Sequence, residues 1–372
     1  MTSPFRTAIY RLMPLLAGAL ALGLVGAPGA RADLGQHDAI TITSNADFTA
    51  VSSSAGCACV TAGSGTTADP YVIGPWAISA PSGGTHGWGI RVDNSGEGVT
   101  DSFVISGISM NYSGVPFTDP TIQLVDVNNP SGTTILNVSA NEDGRGVELD
   151  ASSHVTLDQL NFNKMTGNAL FINGSSYVTL SNSKLKSTAD GQLPHNADGL
   201  YALNSNHLSI GGVPACPASK ICDTFDYDTG WGVYLQNTSY VTIDHASANA
   251  DDTGGYILDN SSYVDLGNST AEAGGPICIT LNGQKTPTGY VPTDLQGGLL
   301  LINGSSNNTI HDDQFVQHTM SIGSGGNGFY GNPCTKAKQP FSPAEAPMGP
   351  NNSFLNLCYF NNDIGLPPNP CL

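Results

Sequence analysis

The chain has 372 residues, 45 of them Gly and 23 Pro, and only 11% of it is charged, against roughly 25% in an average domain. So much Gly and so little charge exclude a helical bundle or coiled coil, and an apolar content of 39% excludes an acidic disordered chain. Twelve basic against 30 acidic residues, a net charge of −18, leave no Lys/Arg footprint for nucleic-acid phosphates; a turn-rich, all-β protein remains.

At the N-terminus, Arg6 and Arg11 precede an apolar run from Leu12 to Val25 and then Ala30-Arg31-Ala32. This is the pattern of a secretory signal, with cleavage expected after Ala32. Gly18, Gly23, Gly26 and the short apolar length argue against a membrane anchor, and no later run is long enough for a membrane span. The expected mature chain is secreted, periplasmic or on the cell surface. Its net charge is −21, because cleavage removes three basic residues and no acidic one. All eight cysteines follow the signal: Cys57, Cys59, Cys216, Cys222, Cys278, Cys334, Cys358 and Cys371. In an oxidising compartment an even count points to disulfides, with Cys216 and Cys222 the first candidate pair. Cys57-Ala58-Cys59 reads as too tight to pair comfortably with itself. No Cys/His spacing fits a zinc pattern.

An internal repeat organises the rest. Gly146-Val-Glu-Leu-Asp-Ala-Ser-Ser-His-Val-Thr-Leu157 returns at 169–180, 232–243 and 255–266, with weaker copies at 199–210 and 299–310 and a half copy at 276–279. The first apolar position of each copy is Val147, Leu170, Leu200, Val233, Tyr256, Ile277 and Leu300, a unit of about 23 residues with insertions. Period-two alternation within each copy means short strands. Ser and Asn recur at the turns, where they can bond from coil to coil. A third strand would place Phe162, Leu185, Ala248, Ala271 and Phe315 inward. The expected fold is an all-β, right-handed, single-stranded parallel β-helix with three strands per coil. The expected organisation is a signal over 1–32, an N-terminal cap over 33–80, the β-helix over 81–325 and a Cys/Pro/Asn-rich C-terminal cap over 326–372.

Gly63-Ser-Gly-Thr-Thr-Ala-Asp-Pro-Tyr-Val-Ile73, with Trp76 and Ile78 after it and Ile40-Thr-Ile-Thr-Ser-Asn-Ala-Asp-Phe48 before it, resembles the opening segment of NosD-like β-helix proteins. These belong to the pectate-lyase-like group of carbohydrate-binding proteins and sugar hydrolases. The resemblance covers roughly residues 38–325. It implies the fold and leaves the activity open, since this group includes lyases, hydrolases, epimerases and binding proteins.

Within that frame, the residue between the two inward ones of strand one points outward. This column reads Glu148, Phe171, Tyr201, Tyr234, Ile257, Cys278 and Leu301. Its three successive aromatics form either a stacking platform for a polysaccharide or a stripe covered by a loop. A second outward column, His154, Tyr177, His207, Tyr240 and Tyr263, reads as a structural ring ladder. Insertions at 187–198 and 211–231 wall a groove beside strand one. Its edge carries His195, Asn196, Asp198, Asp226, Asp228, Trp231, Asp251 and Asp252.

Asn196-Ala-Asp198-Gly199 and Asp251-Asp252 resemble two phrases of β-helix polygalacturonases. That resemblance implies glycoside hydrolysis by Asp198 with Asp251 or Asp252, one carboxyl as acid and the other activating water. The Gly-His-Gly and Arg-x-Lys phrases of those enzymes have no counterpart here. The same carboxylates could instead occupy β-helix turns or hold Ca²⁺. A basic island of Arg145, Lys164, Lys184 and Lys186 would be the start of a lyase site.

The leading expectation is a protein that binds, and in its catalytic form cleaves, a polysaccharide or cell-surface glycan along strand one. Phe171, Tyr201, Tyr234, Trp231, His195, Asn196 and Asp228 would contact the sugar, and the chain would act as a monomer. The acidic excess repels polyuronates, which favours a neutral glycan or a Ca²⁺-bridged one. The alternatives are a non-catalytic structural β-helix and a NosD-like copper-handling protein using His311 and His318.

Overall fold

A four-residue strand with two apolar side chains on one face is not stable alone; stacking copies of it turns those faces into a continuous core. The computed structural model describes residues 34–49, 57–80, 87–110, 117–187, 198–211, 223–225, 228–249, 254–267, 277–280, 285–286, 289–290, 297–311, 313–316, 321–322, 352–355 and 358–360. The signal segment, Cys216, Cys222, His195, Asn196, Asp226, Asp251, Asp252 and His318 lie outside them. The described residues from Gly35 onward belong to one unit, and their stacked parallel strands build a right-handed parallel β-helix.

Sheet one has ten strands in chain order: Ile40–Ile42, Ile90–Asp93, Ile122–Val125, Val147–Asp150, Leu170–Asn173, Leu200–Leu203, Trp231–Gln236, Gly254–Asp259, Gly297–Ile302 and Ser321–Ile322. Each is parallel to the next. Val147, Leu170, Leu200, Val233, Tyr256 and Leu299 share one register position, all buried. Just before Val147 the coils come so close that a Cβ on Gly146 would lie 2.0 Å from the Ala169 carbonyl oxygen, which only Gly tolerates.

Strands two and three run together in the early coils, as Phe103–Met110, Asn128–Asn141 and Ser153–Met165. Each of these bends at a left-handed residue, Gly107, Asn137 and Gln159 in turn. Later coils break at the same corner into two strands, such as Ser176–Ser181 and Lys184–Ser187, with Asn182 left-handed between them. Val155, Val178, Leu208, Val241 and Val264 line up inward from strand two. Phe162 and Leu185 do so from strand three, and all join one core cluster. Each fully buried aliphatic or aromatic side chain there contributes about 1.5–3 kcal/mol.

A buried hydroxyl ladder closes the turn between strands one and two. Val127 N–H donates to Ser152 Oγ, Ser152 N–H to Ser175 Oγ, and Ser175 N–H to Ser205 Oγ, at 3.0–3.1 Å. Further on, Thr238 N–H donates to Ser261 Oγ and Ser261 N–H to Ser305 Oγ. The hydroxyls in turn reach strand-one carbonyls of the preceding coil, such as Ser175 Oγ to Leu149 O. The turn therefore satisfies backbone groups that a dry interior would otherwise orphan. Outside it, Asn260 donates to Asn237 and Asn237 to Asn204.

The following sequence expectations are corrected. The half copy at 276–279 is not a strand of sheet one: Ile277–Thr280 pairs with Ala246–Asn249 and Asp313–Val316, in the third-strand position. Its alternation is genuine, but the coil after Gly254 is lengthened by an insertion, so Ser261 and its ladder partner Ser305 are 44 residues apart. The same insertion shifts the next copy by one residue. Leu299 and Leu301 are inward and Leu300 pairs with Ile257, so Cys278 and Leu301 leave the outward column. Ile279 follows Ala248 in the third-strand row, Ala271 lies outside the described residues, and Phe225 fills a place there that the repeat did not reveal. Finally, Cys57 Sγ and Cys59 Sγ are bonded, 2.09 Å apart. The backbone permits this because Ala58 between them takes a left-handed φ of 49°.

Candidate functional site

The outward face of sheet one carries a register-aligned stripe of Thr41, Arg91, Gln123, Glu148, Phe171, Tyr201, Tyr234 and Ile257. Two residues on, at the same face, run Asp93, Val125, Asp150, Asn173, Leu203, Gln236 and Asp259. The stripe divides into a polar half and an aromatic half.

The polar half centres on Glu148 and Asp150, which share a face because strand side chains repeat every two residues. Glu148 is only 6% exposed. Arg145 Nη1 lies 2.5 Å from its Oε2, and Gln123 Nε2 donates to its Oε1 at 2.8 Å. Gln123 also reaches Asp150 Oδ2 at 3.4 Å, and Asn173 Nδ2 donates to Asp150 Oδ1 at 3.1 Å. Burial, then the hydrogen bond and charge of Glu148, raise the Asp150 carboxyl above the ordinary carboxylate range. Two carboxyls side by side each disfavour ionisation of the other. Arg145 Cζ lies 5.0 Å from the Phe171 ring centre and ties the two halves together. One end of the stripe repeats the scheme with Arg91, paired to Asp93 at 2.6 Å and 4.6 Å over the Trp88 ring.

In the aromatic half, the rings lie on one another. Phe171 and Tyr201 are 5.3 Å apart and tilted; Tyr201 and Tyr234 are 4.8 Å apart and stacked. Tyr201 Oη donates to Gln236 Oε1, while Tyr234 Oη and Gln236 Nε2 both donate to Asp259 Oδ2 at 3.0 Å. Tyr234, at 6% exposure, and Trp231, at 1%, pack with Ile257 in an apolar cluster separate from the main core. The expected three-ring platform therefore narrows to Phe171 and Tyr201, both half-buried. Their contact covers ring faces and leaves ring edges to a ligand. Burial, then the charges of Asp198 and Asp259, push the Tyr201 hydroxyl up.

The carboxylates assigned to catalysis from sequence occupy different places. Asp198 is 0% exposed. Its Oδ1 accepts the Trp231 N–H at 2.6 Å, just as Asn168 Oδ1 accepts the Asp198 N–H at 3.0 Å. The pair forms a buried cap from coil to coil. Asp198 therefore holds the next turn rather than facing an open groove, which corrects its expected role as acid or base. Asp228, also buried, accepts the Ser187 N–H and closes the neighbouring turn. Asp223 does the same for Ser183 N–H at 2.7 Å, and Asp143 for Phe117 N–H at 3.2 Å. Burial raises Asp198 and Asp223 to about 7 and Asp143 to about 6.

The basic island is dispersed: Arg145 pairs with Glu148, and Lys164 with Glu142 at 3.0 Å. Among the described residues, no three His, Cys, Asp or Glu side chains converge to hold a metal. The second outward column is a continuous stack of His154, Tyr177, His207, Tyr240 and Tyr263, with ring centres 4.6–5.1 Å apart. Its faces are likewise spent on each other.

The acid pair escaped sequence reasoning because its partner Gln123 sits in a coil upstream of the first legible copy. The signal was present in Glu148-Leu-Asp150, two acids at strand spacing. A family model described as a right-handed beta helix region matches residues 123–333. No curated protein matches. Among solved structures, the chain is similar to full-length tailspike protein 2 from the Escherichia coli O157:H7 bacteriophage CAB120, at 13% identity and a TM-score of 0.49 over 76% of this chain and 35% of that one. It thus spans about a third of that tailspike's length. It is also similar to PfbA, a surface adhesin of Streptococcus pneumoniae, at 12% identity over 77% of each chain with a TM-score of 0.40. The periplasmic alginate epimerase AlgG, in a mutant form, aligns at 8% identity over 78% of each chain with a TM-score of 0.39.

Proposed function

Because the chain belongs to the right-handed β-helix family, we propose that it is a glycan-binding protein whose ligand lies along the outward stripe of sheet one. The observation that carries this reading is the polar half of the stripe. There Gln123, Asp150 and Asn173 offer half-buried hydrogen-bonding groups on successive coils, held by the buried Glu148 and next to the half-buried rings of Phe171 and Tyr201. Sugar hydroxyls need such closely spaced donors and acceptors, and the ring edges supply the apolar floor. The stripe's cations are each matched by a carboxylate, and Asp150 and Asp259 add further negative charge. A neutral glycan suits this face better than a polyuronate.

A second reading, cleavage, is favoured by one observation. Burial and the neighbouring Glu148 raise the Asp150 carboxyl, the direction that an acid serving a glycosidic oxygen needs. Among the described residues, no helix is long and apolar enough to cross a membrane. We place the mature protein outside the cytoplasm, beginning at Asp33; N-terminal sequencing of the exported protein checks this.

The test is retention on a panel of neutral and acidic polysaccharides, each with and without Ca²⁺, with reducing ends and ultraviolet absorbance followed in parallel. Retention by a neutral glycan that weakens in Asn173→Ala is the expected result. New reducing ends that vanish in Asp150→Asn while retention persists would establish cleavage. Silence across the panel would overturn the proposal and favour a structural scaffold.

A further inference from the structure

A cavity of about 540 Å³ lies at the Thr41 end of this stripe, lined by His37, Asp38, Thr41, Trp76, Cys57 and Ala58 among others. It contains one partner of the tight Cys57–Cys59 bond. Four observations coincide there. Cys57, 4% exposed, lines the cavity, whereas Cys59, 0% exposed, does not. The Cys59 backbone N–H points at Cys57 Sγ at 3.3 Å. Such a donor stabilises a thiolate more than a thiol. Ala58 is held at φ 49°, a conformation that disfavours any residue with a Cβ, so opening the ring would let it relax. Trp76, the wall of the cavity, is fixed by its indole N–H on the Cys59 carbonyl at 2.7 Å and by the His37 ring at 5.1 Å.

We propose that Cys57–Cys59 is a thiol–disulfide exchange site that takes a small thiol or an exposed protein cysteine in this cavity. In the first step, the incoming thiolate attacks Cys57 Sγ. A new S–S bond forms to Cys57, the Cys57–Cys59 bond breaks, and Cys59 leaves as a thiolate that takes up a proton. In the second step, another thiolate attacks the sulfur of the bound thiol. The two incoming thiols depart as a disulfide, and Cys57 is released as the thiolate that the Cys59 N–H stabilises. Two electrons pass from the thiols to the protein, and no other oxidant is needed. Cys57 is the attacked sulfur because it alone of the two borders the cavity.

The test uses the full exported chain, undenatured, in glutathione buffers, quenched with acid, alkylated and mapped by peptide mass. The expected result is label on Cys57 and Cys59 with the sheet circular dichroism unchanged, and a glutathione adduct on Cys57 only. Cys59→Ser should accumulate that adduct, and Cys57→Ser should accumulate none. Ala58→Gly, which tolerates the left-handed turn, should need about threefold more reduced glutathione for half-reduction. Label appearing only after denaturation, or adduct on Cys59, would overturn the proposal. The wild-type map alone decides the point if a Cys variant fails to fold.

Discussion

Asp198 shows how one residue can carry a familiar motif and still do something else. In sequence, Asn196-Ala-Asp198-Gly199 resembles a catalytic phrase. In the fold its carboxyl is sealed against the Trp231 N–H, and burial raises it to about 7. Asn keeps the accepting oxygen and carries no charge. Asp198→Asn should therefore match the wild type only below about pH 4, and gain on it by on the order of 3 kcal/mol between pH 5 and pH 8, because folded Asp198 keeps a proton that the unfolded chain has released. Asp198→Ala, which leaves the Trp231 N–H orphaned, should lose about 1–3 kcal/mol at pH 5. Chemical denaturation at the two pH values checks both. A clue existed in the sequence: Asn168 and Asp198 hold the same place before strand one, the mark of a ladder. The residues that make the polar site were harder to see, because Glu148 and Asp150 acquire meaning only when Gln123, Asn173 and Arg145 converge on them.

At the level of the element, the turn ladders decide the register. The period of two and the recurring Ser-Ser phrase made three strands per coil readable, because each copy repeats the same local physics. What could not be read was the coil after Gly254. An alternating segment looks the same in sheet one and in sheet three, and only the length of the insertion tells them apart. The inner hydroxyls are buried and bonded on both sides, whereas the outer Asn column faces solvent. Ser175→Ala should thus cost about 1–3 kcal/mol, since the Ser152 N–H loses its acceptor in a dry turn. Asn237→Gly should change stability by only a few tenths, because Gly accepts the left-handed backbone there. Urea midpoints of the two variants separate the inner ladder from the outer. The ring ladder offsets a local cost: His154, Tyr177, His207, Tyr240 and Tyr263 all take left-handed φ, at about 1–2 kcal/mol each, and the stacking contacts return about 0.5–1.5 kcal/mol apiece.

For the whole molecule, low charge and high Gly now have a structural cause, since neutral ladders and tight turns recur in the coils from Val127 to Ser305. The remaining acids shape its response to pH. Asp143, Asp198 and Asp223 have folded-state values of about 6, 7 and 7 against 3.8 for a free Asp. Between those limits the folded chain keeps protons that the unfolded chain has released. Their contribution to stability therefore falls as pH rises from about 4 to 7 and is lowest above that window. The net charge of −18 acts in the same direction. Thermal melts should give a higher Tm at pH 5 than at pH 8; a Tm that rises over that range would contradict the burial of these three carboxyls.

The claim on which the functional account depends is that the outward stripe of sheet one, and not the ring ladder, meets the ligand. Titration calorimetry with an oligosaccharide of the retained glycan tests it most directly, on the wild type, Asn173→Ala, Tyr201→Ala and Tyr240→Ala. The expected result is binding by the wild type and Tyr240→Ala alike, with about tenfold weaker binding in Asn173→Ala and Tyr201→Ala, which lose a hydrogen-bonding group and an apolar ring in turn. Unchanged affinity in the two stripe variants with loss in Tyr240→Ala would contradict it.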